Sequence, residues 1–197
     1  MSLPSFEELL QEAERAHGHL CAGQILGVRM AIFGLKLLGI EDPRGADRKR
    51  TLTFVEIDRC ATDAIGVVTG CRLGKRALKF RDWGKMAATF VDASSGRGVR
   101  LVAREDSKQC AAELHPELAT KNQREMAAYR ELSDEQLFSY QWVHVDLPAQ
   151  EMPGYRAPRV TCQECGEGIS FNREIHKDGR ILCRACAGER YYKPVTR

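Results

Sequence analysis

Two groups of residues in this chain have the types and spacing that chemistry needs. The first is near the C-terminus, where Cys162-x-x-Cys165 and Cys183-x-x-Cys186 are separated by seventeen residues. Two residues between cysteines let both sulfurs face one ion, and the intervening segment brings the second pair round to complete a tetrahedron, so these four are expected to hold a structural zinc. Four thiolates close the coordination shell and leave no position open for a substrate. A redox role would need only one Cys-x-x-Cys, and neither pair has a thioredoxin-like βαβ pattern around it. His176, in the segment between the pairs, reads as a solvated residue near a turn.

The second group is His17-Gly-His19-Leu-Cys21, three metal-binding residue types within five positions. In an extended segment alternate residues share a face, so all three could converge. Cys21 would sit at the amino end of a helix, where the dipole and free N–H groups favour a thiolate. Cys60-Ala-Thr-Asp63 follows a predicted strand and opens a short helix, which puts Cys60 at another helix amino end with Asp63 as ligand, base or cap. The alternative is bland: Cys21 packs as a small apolar residue and the histidines satisfy helix-end carbonyls. Gly70-Cys-Arg-Leu-Gly74-Lys75 is one residue short of a phosphate loop and has Arg76 where Ser or Thr is required, so nucleotide binding is rejected there. Lys75 remains a candidate electrostatic anchor.

These residues need elements to position them. Ser5-Phe-Glu-Glu8 has capping-box spacing, and Phe6, Leu9, Leu10 and Ala13 recur at helical intervals, giving a helix to about Ala16 that stops at Gly18. A second helix, Ala22 to Leu38, carries Gly23, Gly27 and Gly34, so one flank lacks side chains and a helix or strand should pack close. Strands are expected over 51–57, 86–92, 99–103 and 142–147, with helices over 61–68, 116–129 and 134–138. The result is an α+β domain, a mixed sheet packed with helices, over residues 1–147. A proline-rich linker, 148–158, leads to a small treble-clef or zinc-ribbon domain over 159–197. In that domain Ile169-Ser-Phe and Arg180-Ile-Leu should form a hairpin about Asp178-Gly179, followed by a helix from Arg184 to Tyr191. A unit so small has little apolar area to bury, so the metal must supply much of its stability.

Composition narrows the functions. At 197 residues, 43% hydrophobic and 29% charged, the chain can bury one good core and an appendage. The start, MSLPSFEELL, lacks a basic segment followed by an apolar run, and the apolar stretch Ala22 to Ile40 is broken by Gln24, Arg29 and Lys36. A cytoplasmic protein with no membrane partner is expected, its eight cysteines reduced or bound to metal. Residues 159–197 hold eight Lys or Arg against five Asp or Glu, so they carry the whole formal charge of +3. Zinc bound by four thiolates subtracts 2 and leaves that segment near +1, which argues against nucleic acid as a partner despite its arginines and tyrosines.

Read in order, His17-Gly-His19-x-Cys21-x-Gly23, Cys60-x-x-Asp63-Ala-Ile, Thr69-Gly-Cys71-x-x-Gly74-Lys75 and Asp82-x-Gly84-Lys85-x-Ala87-x-x-Phe90 resemble the FmdE family, named for a component of formylmethanofuran dehydrogenase. The resemblance implies an α+β core, homodimers, a His/Cys/Asp metal pocket and, in some members, a C-terminal zinc finger. Carried over, that pocket would use His17, His19, Cys21, Cys60 and Asp63. Where the family has proline after the first-motif cysteine this chain has Ala22, which changes the stiffness of the loop and not its ligands. The complex that gives the family its name does its chemistry in other subunits, on molybdenum or tungsten and iron–sulfur clusters, and this chain lacks the cysteines to hold such clusters.

Two functions follow as expectations. One is an accessory metalloprotein of one-carbon or redox metabolism, with zinc, or else nickel or iron, at His19, Cys21 and Cys60, Asp63 as base or fourth ligand, Lys75 as anchor and His17 as a supporting or alternate ligand. The other is a dimeric interaction subunit, docking on a protein partner in a redox enzyme complex, whose essential metal is the structural zinc alone.

Overall fold

The computed structural model describes residues 3–195; Met1 and Ser2, at the start of the segment read for a leader, and Thr196 and Arg197, at the end of the basic segment, lie outside the described residues. Contacts divide the chain into two units, residues 1–146 and 147–197.

In the first unit α1 spans Phe6–His17 and α2 spans Ala22–Leu38. The Ser5 hydroxyl accepts from the Glu8 N–H and the Glu8 carboxylate returns the bond to the Ser5 N–H, so the capping box forms as the spacing predicts. Gly18 ends α1 with φ of 95°, a conformation that favours glycine, and donates its N–H to Glu14 O. α2 is apolar nearly all round, and Ile25, Val28, Met30, Ala31 and Leu35 are fully buried, because it runs through the middle of the unit.

The strands are β1 (Thr51–Val55), β2 (Leu78–Phe80), β3 (Ala87–Asp92), β4 (Arg97–Ala103) and β5 (Phe138–His144), in the order β2-β1-β3-β4-β5. β1 and β2 are parallel and the other pairs antiparallel, so the sheet is mixed and the unit is α+β. The glycine flank of α2 serves two neighbours. A side chain at Gly27 would overlap Ala61 and Ala64 of α3 (Cys60–Thr69), and one at Gly34 would overlap the Phe90 ring of β3. Close approach on both sides fixes α2 between α3 and the sheet.

Four expectations for this unit need correction. β2, three residues long, was not foreseen. Residues 106–114 form a helix, α4, where no element was assigned. The helix expected from Pro116 begins only at Lys121 (α5, Lys121–Glu131), because Thr120 and Gln123 make a capping box there. The last strand starts at Phe138, directly after α6 (Asp134–Leu137), and ends at His144. Arg29 of α2 pins α5 and α6 by donating to Tyr129 O, Leu132 O and the Asp134 carboxylate at 2.7–3.0 Å.

The second unit opens on a short 3-10 turn, Ala149–Glu151, inside the stretch read as a featureless linker. β6 (Val160–Thr161) pairs with β7 (Gly168–Ile169), and β8 (Ile175–Lys177) with β9 (Arg180–Leu182). The hairpin about Asp178-Gly179 is present, but its first strand is β8 and not Ile169-Ser-Phe. Phe171 and Asn172 have φ of 65° and 53°, which breaks the strand after Ile169. The terminal helix is a single turn, Ala185–Glu189, with Gly188 inside it at a non-helical φ of 115°.

Candidate metal centres

The C-terminal centre is assembled by both small hairpins. Cys162 follows β6, Cys183 follows β9, and the four ligand sulfurs of Cys162, Cys165, Cys183 and Cys186 lie within 4.8 Å of one another. Buried Cys162, Ile169 and Leu182 form the core of the unit, so the ligands and the apolar side chains are one cluster. The backbone points at the sulfurs: the Cys183 N–H donates to Cys162 Sγ at 3.3 Å and the Cys186 N–H to Cys183 Sγ at 3.4 Å. N–H bonds, first from Cys165 and then from Cys183, hold the Cys162 thiol down to about 6. Burial, with the neighbouring thiols behind it, pushes Cys186 up. Packed thiols that cannot all ionise unaided are what a divalent cation relieves, and the donor set is that of a structural zinc.

The second centre is at the junction of α1, α2 and α3. One ligand atom each from His17, His19 and Cys21 lies within 4.8 Å of the other two. They converge because α1 ends at His17 and the left-handed Gly18 turns the chain, so the route is a helix end and not the extended segment expected. The two imidazoles are 4.6 Å apart, centroid to centroid. His17 Nδ1 meets Asp63 Oδ2 at 2.8 Å, which assigns the ring proton to Nδ1 and leaves Nε2 with a free lone pair. That Nε2 is buried and has no hydrogen-bond partner. An unserved nitrogen beside a second imidazole and a thiol fits a borderline-soft cation such as zinc.

Cys60 is adjacent to this set without being part of it. It occupies the first position of α3, as expected, and burial, then the nearby Cys21 thiol, push its own thiol up. A side chain at Gly23 would stand 3.0 Å from Cys60 Cβ and 3.7 Å from Cys21 Sγ, so it is the bare glycine that lets the two cysteines approach. Gln24, fully buried, holds the Cys60 carbonyl with its Nε2 at 2.6 Å. Asp63 is bonded to His17 and lies outside the group of three donors. Lys75 is exposed beyond the C-terminal end of α3, while Cys60 starts that helix; ten residues, about 15 Å of helix, separate the two ends, so the expected anchor is not at the site.

Cys21 and Cys60 open on a cavity of about 330 Å³ whose wall includes Arg59, Met86, Glu125 and Tyr129. Glu125 and Tyr129 lie on one face of α5, and Asn122 on that face accepts the otherwise free N–H of Ala22 at 3.2 Å. The sequence reading missed Gln24, Asn122 and Tyr129. Only the position of Asn122 in the first turn of α5 hinted at contact with another helix.

Residues 16–144 match the family model for FmdE, of the molybdenum formylmethanofuran dehydrogenase operon, and residues 155–192 match the prokaryotic dksA/traR C4-type zinc finger. A probable S-adenosyl-L-methionine-binding protein of Archaeoglobus fulgidus is 34% identical over 96% of this chain. The match takes in 55% of that relative, so the chain spans about half its length. In fold, the chain is similar to a tungsten formylmethanofuran dehydrogenase FmdE-like protein from Syntrophus aciditrophicus, with a TM-score of 0.66, 22% identity and coverage of 98% of this chain and 100% of that one. An FmdE match over most of the first unit and a four-cysteine finger over most of the second mean that this chain belongs to the FmdE family and carries a C-terminal zinc finger.

Proposed function

We propose that the chain is an accessory metal-binding protein of one-carbon or redox metabolism, with a core metal held by His17, His19 and Cys21 in addition to the structural zinc of the finger. The observation that carries this is the buried, unpartnered Nε2 of His17, whose ring is set by Asp63 and faces two further donors. Three protein ligands leave one tetrahedral position for a water, a substrate or Cys60. A metal bound there would supply Lewis acidity. The chain's own part is to orient His17 through Asp63, to hold Cys60 in place through Gln24, and to wall the approach with α5. The family name and the tungsten-associated neighbour support a role beside a molybdenum or tungsten enzyme.

The test is metal content per chain by mass spectrometry, on full-length protein purified without chelator. Two equivalents in the wild type, falling to one in His19→Ala and in Cys21→Ser, is the expected result. One equivalent in all three removes the core metal.

A second reading, a non-catalytic interaction protein, draws on β5. It is an edge strand of seven residues without charge or proline, and Tyr140 and Trp142 on it are each nearly half exposed. An edge strand with no Lys, Arg, Asp, Glu or proline supports docking of a second copy or of a protein partner there. Sedimentation of wild type against Trp142→Lys tests self-association.

A further inference from the structure

The cavity beside the core site carries a charge that the chain itself does not balance. The charged side chains in its wall are Arg59, Arg104, Glu105, Lys108 and Glu125. Arg104 donates to both carboxylate oxygens of Asp106, at 3.1 and 2.6 Å. Lys108 pairs with Glu105 at 2.5 Å, and Glu125 has Lys121, one turn back on α5, at 3.7 Å. Among the described residues, no carboxylate pairs with Arg59. With the other charges matched, the wall is left with one positive charge to offer a ligand. Arg59 is the N-cap residue of α3 and directly precedes Cys60, so this charge stands at the end of the cavity that Cys60 lines. Leu26, Met86 and Ala103 make part of the wall apolar.

We propose that this cavity binds a small organic carboxylate, with the carboxylate on Arg59 and the apolar body against Leu26, Met86 and Ala103. A planar guanidinium matches a carboxylate through two parallel N–H···O bonds. An inorganic oxyanion would satisfy Arg59 and leave the apolar wall uncovered. A neutral molecule would cover that wall and leave the cation unmatched. An organic carboxylate does both, which is how a pocket with apolar walls and a few placed polar groups selects its ligand. Cys21 belongs both to the cavity wall and to the group of three donors, so the bound carboxylate lies next to the core site. Its meeting with a metal there rests on the core-metal reading, whereas its binding rests on the charges of the cavity alone.

The probe is benzoate, titrated into full-length, isotope-labelled protein and followed by amide NMR shifts, with benzamide, its neutral analogue, and inorganic phosphate alongside. The titrations are made on wild type, Arg59→Gln and His19→Ala, after the metal content of each is measured. Arg59 makes no side-chain cap bond, so its replacement removes no helix cap. Saturable shifts at Leu26, Cys60 and Ala103 are expected, with benzoate binding more tightly than benzamide and added salt narrowing the difference. Arg59→Gln should weaken benzoate by about fivefold, the size of a solvent-screened ion pair, and leave benzamide unchanged. No binding of benzoate, an affinity no higher than that of benzamide, indifference to Arg59→Gln, or shifts confined to residues outside the cavity would each overturn the proposal. Phosphate binding as tightly as benzoate would overturn it in favour of an inorganic oxyanion. Benzoate binding that depends on Arg59 in a protein with one metal equivalent per chain keeps the cavity site and removes the core metal. Two equivalents in the wild type, one in His19→Ala, and benzoate indifferent to Arg59 would do the reverse.

Discussion

The carboxylate of Asp63, in the first turn of α3, meets His17 Nδ1 at 2.8 Å, so the last residue of α1 has its ring set by another helix. A carboxylate on the far nitrogen fixes the tautomer and makes the near one a better ligand. Asp63→Ala should weaken the core metal by about 10- to 100-fold in competition with a chromophoric chelator. Asp63→Asn, which can still accept a hydrogen bond, should fall between the two. Equal affinities in all three proteins would mean that the pair is a surface ion pair and nothing more; Asp63 is 60% exposed, so its effect on folding should be small.

Gly34 faces Phe90, which is fully buried. A methyl group at Gly34 has to displace an aromatic ring in the middle of the core, so Gly34→Ala should cost about 1–3 kcal/mol although alanine is the better helix former. Gly27→Ala should cost as much, since the backbone of Ala61 stands in the way. Urea unfolding midpoints check both. A gain in stability in either variant would show that α2 can move away from its neighbours.

What could be read in the sequence was what has a local cause. The Ser5–Glu8 capping box, the bare flank of α2 and the two Cys-x-x-Cys pairs all show in a few consecutive residues, and all three are present. α4 was missed because of its residues only Ser107 and Ala111 are buried, which leaves no apolar period to find. β2 is three residues held by pairing with β1, and its cause lies 25 positions away. The same holds at the site. His17, His19 and Cys21 are neighbours in sequence, but the bond from Asp63 to His17 and that from Gln24 to the Cys60 carbonyl depend on how three helices pack.

Glu56 is 2% exposed and is held by Arg100 through two bonds of 2.6 and 2.7 Å. Arg100→Met leaves the carboxylate buried without its partner and should cost about 3–5 kcal/mol. Adding Glu56→Gln should recover part of that, because the buried charge is then gone. A double variant no more stable than Arg100→Met would locate the loss in packing of the arginine stem.

Asp92 closes β3 and tests the pH dependence of stability. Its Oδ2 accepts from Arg50 Nη2 at 2.6 Å, and its Oδ1 accepts from the Ser94 hydroxyl and N–H. The bond from Arg50 first, aided by Ser94, holds its carboxyl down from 3.8 to about 2. The folded value is the lower one, so the contribution to stability is complete above the ordinary carboxylate range and is lost as pH falls towards 2. For an isolated site it would be about 2 kcal/mol, but Arg50 is 44% exposed and screened by water, which reduces it to about 1 kcal/mol. Asp92→Asn should therefore be less stable than wild type by about 1 kcal/mol at pH 7 in denaturant unfolding, and the gap should close between about pH 4 and pH 2. Acid also strips zinc from the finger, but it does so in both proteins, so the difference between them isolates Asp92. A gap that persists at pH 2 would mean that the hydrogen bonds, and not the charge, are what Asp92 contributes.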